Sequence, residues 1–177
     1  MNAKKIRKIF ENIPNFFKTA KTNKNMQNLK ILNSKEVKRV RKLLNEQFGF
    51  DEKLTFVFML SKKGKLYIIN RDIEKIDFEK LRIDSAGLYF GKLSETDLRL
   101  SIEGSQIIGP KANKNILEIN NLEFKKWLRG LDFNINSSLN GFVIVKHKED
   151  FIGCGKMNKN RLLNYVPKSR RLININN

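Results

Sequence analysis

Apolar residues return along this chain in two rhythms, and the changes of rhythm divide it into elements. After Asn33, the residues Val37, Val40, Leu44 and Phe48 recur at helical intervals, while Lys35, Lys38, Arg39, Arg41 and Lys42 fill the other face. Asn33, with Glu36 three residues on, can satisfy the free N–H groups of a first turn reciprocally, and Gly49 offers a stop. The rhythm then tightens into β-type runs. Residues 54–60 and 65–69 are joined by Ser61-Lys62-Lys63-Gly64, and residues 86–93 and 98–102 form a second hairpin. Between the hairpins, Asp77-Phe78-Glu79-Lys80-Leu81 suggests a short helical turn. This order predicts a helix packed on an antiparallel sheet.

Gly109-Pro110 interrupts both rhythms, and the pattern restarts after Asn115, which places a boundary there. Residues 116–119 suggest a strand. Phe124, Trp127, Leu128 and Leu131 then share one helical face, with Lys125, Lys126 and Arg129 pointing away. Asn140-Gly141 introduces Phe142-Val143-Ile144-Val145, a buried strand. The polar residues 146–150 form a hairpin loop, and Phe151-Ile152 start the return strand. Gly153-Cys154-Gly155-Lys156 is expected to be a tight turn whose bare backbone permits a bulge or the close approach of another backbone. The chain thus divides into a basic arm over residues 1–33, a first unit over 34–109 and a second over 110–177. In the arm, Ile6, Ile9, Phe10, Ile13, Phe16 and Phe17 make an apolar stripe broken by Pro14, and residues 19–28 form a polar linker. Such an arm can dock on its own domain, on RNA or on a membrane surface.

Charge changes the picture. The 36 Lys and Arg against 18 Asp and Glu give a formal net charge of +18, and an isoelectric point near 10.1. This points to an anionic polymer or surface as partner. The plain alternative is a compositional bias toward Lys and Asn. From Gly153 onward, however, Lys156, Lys159, Arg161, Lys168, Arg170 and Arg171 stand with no Asp or Glu among them. No apolar run approaches the roughly 18–20 residues of a membrane span, and no apolar leader precedes a cleavage site. The expectation is a soluble, cytoplasmic protein with no membrane partner.

Materials for catalysis are sparse. His147, the single histidine, sits between two lysines and reads as solvent-facing, without the partners of a metal site or a triad. Cys154, the single cysteine, rules out an internal disulfide and reads as a small packed residue rather than a nucleophile. Asp72 with Glu74, and Glu149 with Asp150, are neighbouring surface charges. Lys63-Gly64-Lys65 and Gly91-Lys92 lack the spacing of a phosphate-binding loop. The reading is of a protein that is not an enzyme, with no catalytic residues, no metal ligands and no cofactor.

Two strings carry a resemblance. Gly153-Cys154-Gly155-Lys156 followed by Arg161-Leu162-Leu163-Asn164-Tyr165-Val166-Pro167-Lys168-Ser169-Arg170-Arg171 resembles the PUA-like domain that ends Sun-type RNA cytosine-5 methyltransferases. There, a G-x-G-K turn precedes an L-x-N-x-x-P-K-x-x-R ending. The segment from Glu123 to Asp132 resembles the helix and turn that enter that domain. A small α/β domain followed by PUA is also the order of the Nip-type ribosome-biogenesis factors. The resemblance implies an α+β protein: a pre-PUA-like domain, helix on antiparallel sheet, followed by a PUA-like β pseudobarrel. It implies RNA lying against the turn and last strands, on Lys156, Lys159, Arg161, Lys168, Arg170 and Arg171, with Lys126 and Arg129 at the edge. Tyr165 either stacks on an unpaired base or closes the barrel. The function implied is non-catalytic binding of rRNA in ribosome biogenesis, or of tRNA or rRNA as a modification accessory. Pre-ribosomal proteins or an RNA methyltransferase would be further partners. The alternative is an RNA-specificity subunit of a separately encoded RNA cytosine-5 methyltransferase, since in those enzymes the catalytic cysteines belong to a separate Rossmann-like domain.

Overall fold

The computed structural model describes residues 29–70 and 87–172. The apolar stripe of the arm, the linker and the turn expected at 77–81 lie outside the described residues. Within them the chain forms three α-helices and two five-stranded sheets.

The first sheet is antiparallel and ordered as in the chain: β1 (Leu29–Ile31), β2 (Phe56–Ser61), β3 (Lys65–Asn70), β4 (Leu88–Leu93) and β5 (Leu98–Leu100). Helix α1 (Ser34–Phe48) covers one face, burying Val40, Leu43, Leu44 and Phe48 against Phe58, Leu66, Ile68, Phe90, Leu98 and Leu100. Its start is the expected reciprocal cap. The Glu36 N–H donates to Asn33 Oδ1 and the Asn33 N–H to Glu36 Oε2, both at 3.0 Å. Gly49 ends the helix at φ 62°, a left-handed position that costs glycine little. Lys30 donates to Glu36 at 2.6 Å, and that bond, with the Asn33 amide, holds the Glu36 carboxyl below its usual range. Leu29–Ile31, expected to belong to the arm, instead pairs with β2.

An irregularity in this sheet decides which side chains share the face away from α1. The β3–β4 register runs Lys65↔Lys92 and Leu66↔Gly91, then jumps to Tyr67↔Tyr89, leaving Phe90 as an extra residue on β4. Such a bulge reverses the alternation of faces. Phe90 turns inward, fully buried and edge-on to Phe58, while Tyr89 and Lys92 come to lie on one face although they are three positions apart.

The second sheet has the order β6-β8-β9-β10-β7. It comprises β6 (Ile116–Glu118), β7 (Phe133–Asn134), β8 (Gly141–His147), β9 (Asp150–Asn158) and β10 (Arg161–Leu163). β6 and β8 are parallel and the other pairs antiparallel. Helix α3 (Asn121–Leu128) packs beside it, its start sealed by an Asn120/Glu123 reciprocal cap. The helix stops short of Leu131, which is 47% exposed, because Gly130 turns the chain at φ 74°.

Five local expectations are revised. Ile102 does not end a strand; it opens helix α2 (Ile102–Ile108), whose first turn is capped by Ser101 Oγ accepting the Gly104 N–H at 2.8 Å. Gly109-Pro110-Lys111 continues α2 as a 3-10 turn, with Pro110 at a position whose missing N–H costs nothing. α2 packs on both β4 and β9, so one core runs across residue 109 and joins Leu44, Phe90 and Leu100 to Ile108, Ile144 and Cys154.

Gly153-Cys154-Gly155 is not a turn but the middle of the nine-residue strand β9. Its glycines make room for a neighbour: a Cβ on Gly153 would stand 3.3 Å from the Trp127 ring, and one on Gly155 2.6 Å from Leu162 and 3.2 Å from Trp127. The β8–β9 connection shrinks to the turn Lys148-Glu149, and a register shift in this pair is absorbed where Gly153 adopts φ 136°. His147 is not solvent-facing. It is 8% exposed, stacked flat on Phe124 at 4.0 Å, with Nε2 2.8 Å from Asn121 Oδ1.

Candidate nucleic-acid interface

A row of cations crosses the first sheet on the face opposite α1. Lys65 pairs with Lys92, and Lys92 with Arg99, so three adjacent strands present three cations side by side. Next to the row, Tyr67 and Tyr89 face each other with ring centroids 5.6 Å apart. Lys65 and Lys92 are exposed, and Tyr67, Tyr89 and Arg99 half-buried.

Where this face meets the C-terminal segment there is a cleft of about 350 Å³, walled by Lys65, Tyr89 and Arg99 on one side and by Tyr165, Val166 and Arg170 on the other. Its aromatic and cationic side chains interleave. The Arg99 guanidinium lies 4.4 Å over the Tyr165 ring, Tyr165 meets Phe142 at 6.1 Å, and Lys156 Nζ lies 5.4 Å over Phe142. A cation over a ring face is drawn to it electrostatically by about 0.5–1 kcal/mol at exposed sites. Tyr165 is 37% exposed, which fits a stacking surface better than a barrel-closing core residue.

The structure distributes the eight cations expected from the sequence over several places. Lys126, over the Phe133 ring at 5.9 Å, and Arg161, 3.4 Å from Asp132, gather around β7. Exposed Arg129 follows the end of α3, and exposed Lys159 sits in the β9–β10 turn. Arg170 lines the cleft, Lys168 opens the 3-10 turn Lys168–Arg170 that carries it, and Lys156 lies over Phe142, the ring that meets Tyr165. Besides Arg161, two more of the eight are engaged inside the chain. Arg170 donates to Glu103 at 2.9 Å, and Arg171 donates to the Val166 carbonyl at 3.0 Å with its guanidinium packed on Gly130.

The residues that make the C-terminal string conspicuous are largely structural. Asn164 donates to the Trp127 carbonyl at 2.8 Å and accepts the Val166 N–H, while its own N–H reaches Asp132 at 2.8 Å. Together with Arg171 it fastens the tail to the end of α3. Trp127, fully buried, donates from Nε1 to the Ile152 carbonyl at 3.1 Å. Gly153-Cys154-Gly155, expected to offer its backbone to RNA, is buried in a strand and packed by Trp127, Leu162 and Ile102, with Gly153 and Cys154 among the residues that line the cleft. Burial pushes the Cys154 thiol up to about 12, against weaker opposing effects of the Leu100 backbone and Arg99. A thiol so placed stays protonated at neutral pH.

Lys65, Tyr67, Tyr89, Lys92 and Arg99 were not among the residues expected from the sequence. Lys65-x-Tyr67 is legible as one strand face. The Tyr89/Lys92 pairing is not, because plain alternation puts those two on opposite faces.

The second sheet, α3 and the fastened tail make up a PUA domain, and that domain type points to RNA as ligand. Residues 114–172 match the family model described as the methyltransferase RsmF PUA domain. The match covers about a third of the chain, and it is the end of the molecule that carries the resemblance to Sun-type enzymes. No curated protein matches the chain.

Proposed function

We propose that this is a non-catalytic, cytoplasmic RNA-binding protein. In this reading the first sheet with α1 serves as a pre-PUA module and the second sheet as the PUA pseudobarrel. The RNA is rRNA during ribosome assembly, or tRNA or rRNA undergoing modification. The observation that carries it is the match of residues 114–172 to an RsmF PUA domain on a segment whose exposed side chains include Lys126, Arg129, Lys159, Arg161 and Lys168. Lysines and arginines that neutralise phosphates release counterions, so affinity must fall with salt. The test is the slope of log affinity against log salt for a structured RNA. Replacing Lys159, Arg161 and Lys168 by Ala should flatten it by about 0.7–0.9 for each phosphate no longer neutralised. An unchanged slope removes those three from the interface.

A second reading, an RNA-specificity subunit for a separately encoded methyltransferase, is favoured by the methyltransferase origin of the matched family. Co-purification followed by a methylation assay separates the two, because the first reading needs no such partner. Retained function after Cys154→Ser would support the absence of catalysis by this chain.

A further inference from the structure

We propose that the β3–β5 part of the first sheet, on the face away from α1, together with the cleft it shares with Tyr165, is a docking surface for single-stranded RNA that receives one unstacked base. This deepens the RNA reading and rests on it. The PUA match begins only at residue 114, so nothing in it assigns β3, β4 or β5 to a ligand.

Charge comes first. Lys65, Lys92 and Arg99 align across three neighbouring strands, a row roughly 10 Å long at ordinary strand spacing. Lys65 and Lys92 have no carboxylate partner among the described residues. Glu103, the one carboxylate among the described residues that line the cleft, is tied to Arg170 at 2.9 Å.

Shape and ring chemistry decide between strand and duplex. Tyr89 and Tyr165 wall the cleft from opposite units, and Arg99, 4.4 Å over the Tyr165 ring, lines the same cleft. A base can slot beside the guanidinium and continue that stack. In a duplex every base is already stacked and paired, and proteins read its outline and backbone instead. A recess with aromatic walls and a cationic lip therefore selects a strand with splayed bases. The phosphates on either side of the inserted base fall to Lys65 and Lys92.

The experiment compares fluorescein-labelled oligouridine with a blunt RNA hairpin duplex of equal charge, by anisotropy at fixed salt. Tyr89→Ala and Tyr165→Ala should each weaken single-strand binding about five- to a hundredfold, leave the duplex within about twofold, and leave Tyr165→Phe close to wild type. Lys65→Ala with Lys92→Ala should flatten the salt slope for the single strand by about 0.7 per lysine. Unchanged single-strand affinity in all these variants, with wild type still binding, overturns the platform and leaves the RNA reading standing. Equal losses on strand and duplex overturn base insertion. No binding of either RNA by wild type overturns the RNA reading itself. Should an alanine variant fail to fold, photo-crosslinking of wild type to 4-thiouridine RNA decides. Adducts at Tyr89 or Tyr165 support the proposal, and adducts confined to the surroundings of β7 overturn it.

Discussion

Arg171 in the C-terminal tail and Lys92 on the first sheet carry the same charge and do different work. The Arg171 guanidinium is bonded to the Val166 carbonyl at 3.0 Å and lies on Gly130, so it holds the tail in place. Lys92 projects from a strand with no carboxylate partner among the described residues, and its charge stays open to solvent. The same contrast separates the two regions as wholes. The tail, acid-free in sequence, commits Arg170 to Glu103 and Arg171 to the backbone. The sheet face, inconspicuous in sequence, gathers Lys65, Lys92 and Arg99 beside two tyrosines. Charge density along a chain and charge open to a ligand are different quantities, and only packing converts one into the other.

The contrast can be broken at several points. If the Gly-Cys-Gly segment is structural, the Cys154 thiol should be shielded. With its pKa raised from 9.0 to about 12 by burial, its thiolate fraction at pH 8 falls about a thousandfold. Reaction with a disulfide reagent should be slower by at least that factor than in denaturant, and comparable rates would place the segment at the surface. The linked effect on folding has a definite sign: a thiol held protonated in the fold contributes its full stabilisation below pH 9, which is lost as the pH climbs toward 12.

Trp127→Ala should cost about 3–5 kcal/mol, read by thermal or denaturant melting, because the fully buried ring fills the space left by Gly153 and Gly155. Arg171→Ala removes a charged donor from a part-buried hydrogen bond and should cost about 1.5–3 kcal/mol. Lys92→Ala should leave stability within about 0.5 kcal/mol and act on RNA affinity alone; the opposite pattern would reverse the roles given to tail and sheet. The smallest effect is expected at Glu103→Gln. Freeing Arg170 and removing a carboxylate from the cleft should tighten RNA binding and steepen its salt dependence by up to about one unit. A weaker complex would show that Glu103 itself meets the ligand.

Local signals carried most of the first unit. The Asn33/Glu36 cap, the Gly49 stop and the apolar period of α1 are short-range effects that act within one or two turns, and each appears where expected. The same kind of signal is present at Ser101, whose hydroxyl caps α2, and at Asn120/Glu123. At Ser101 it is masked, because the alternation of Leu98, Leu100 and Ile102 imitates a longer strand. His147 misleads for a related reason. Flanking lysines suggest solvent, whereas strand alternation turns the imidazole inward onto Phe124. At the candidate site, Lys156 and Tyr165 were legible, while the sheet residues were not. Their grouping depends on the bulge at Phe90, and a single inserted residue moves everything beyond it to the other face.

By itself, then, the sequence determined what neighbouring residues decide among themselves: caps, turns, helical and strand periods, the surplus of positive charge, and the short strings that mark the C-terminal domain. The tertiary structure alone decided which cations stay free, because a guanidinium is claimed or released by carbonyls and carboxylates that can lie far away in the chain. It also decided that Gly153 and Gly155 accommodate an indole. That outcome turns on Trp127, more than twenty residues upstream, arriving within 3.3 Å of where a Cβ on either glycine would stand.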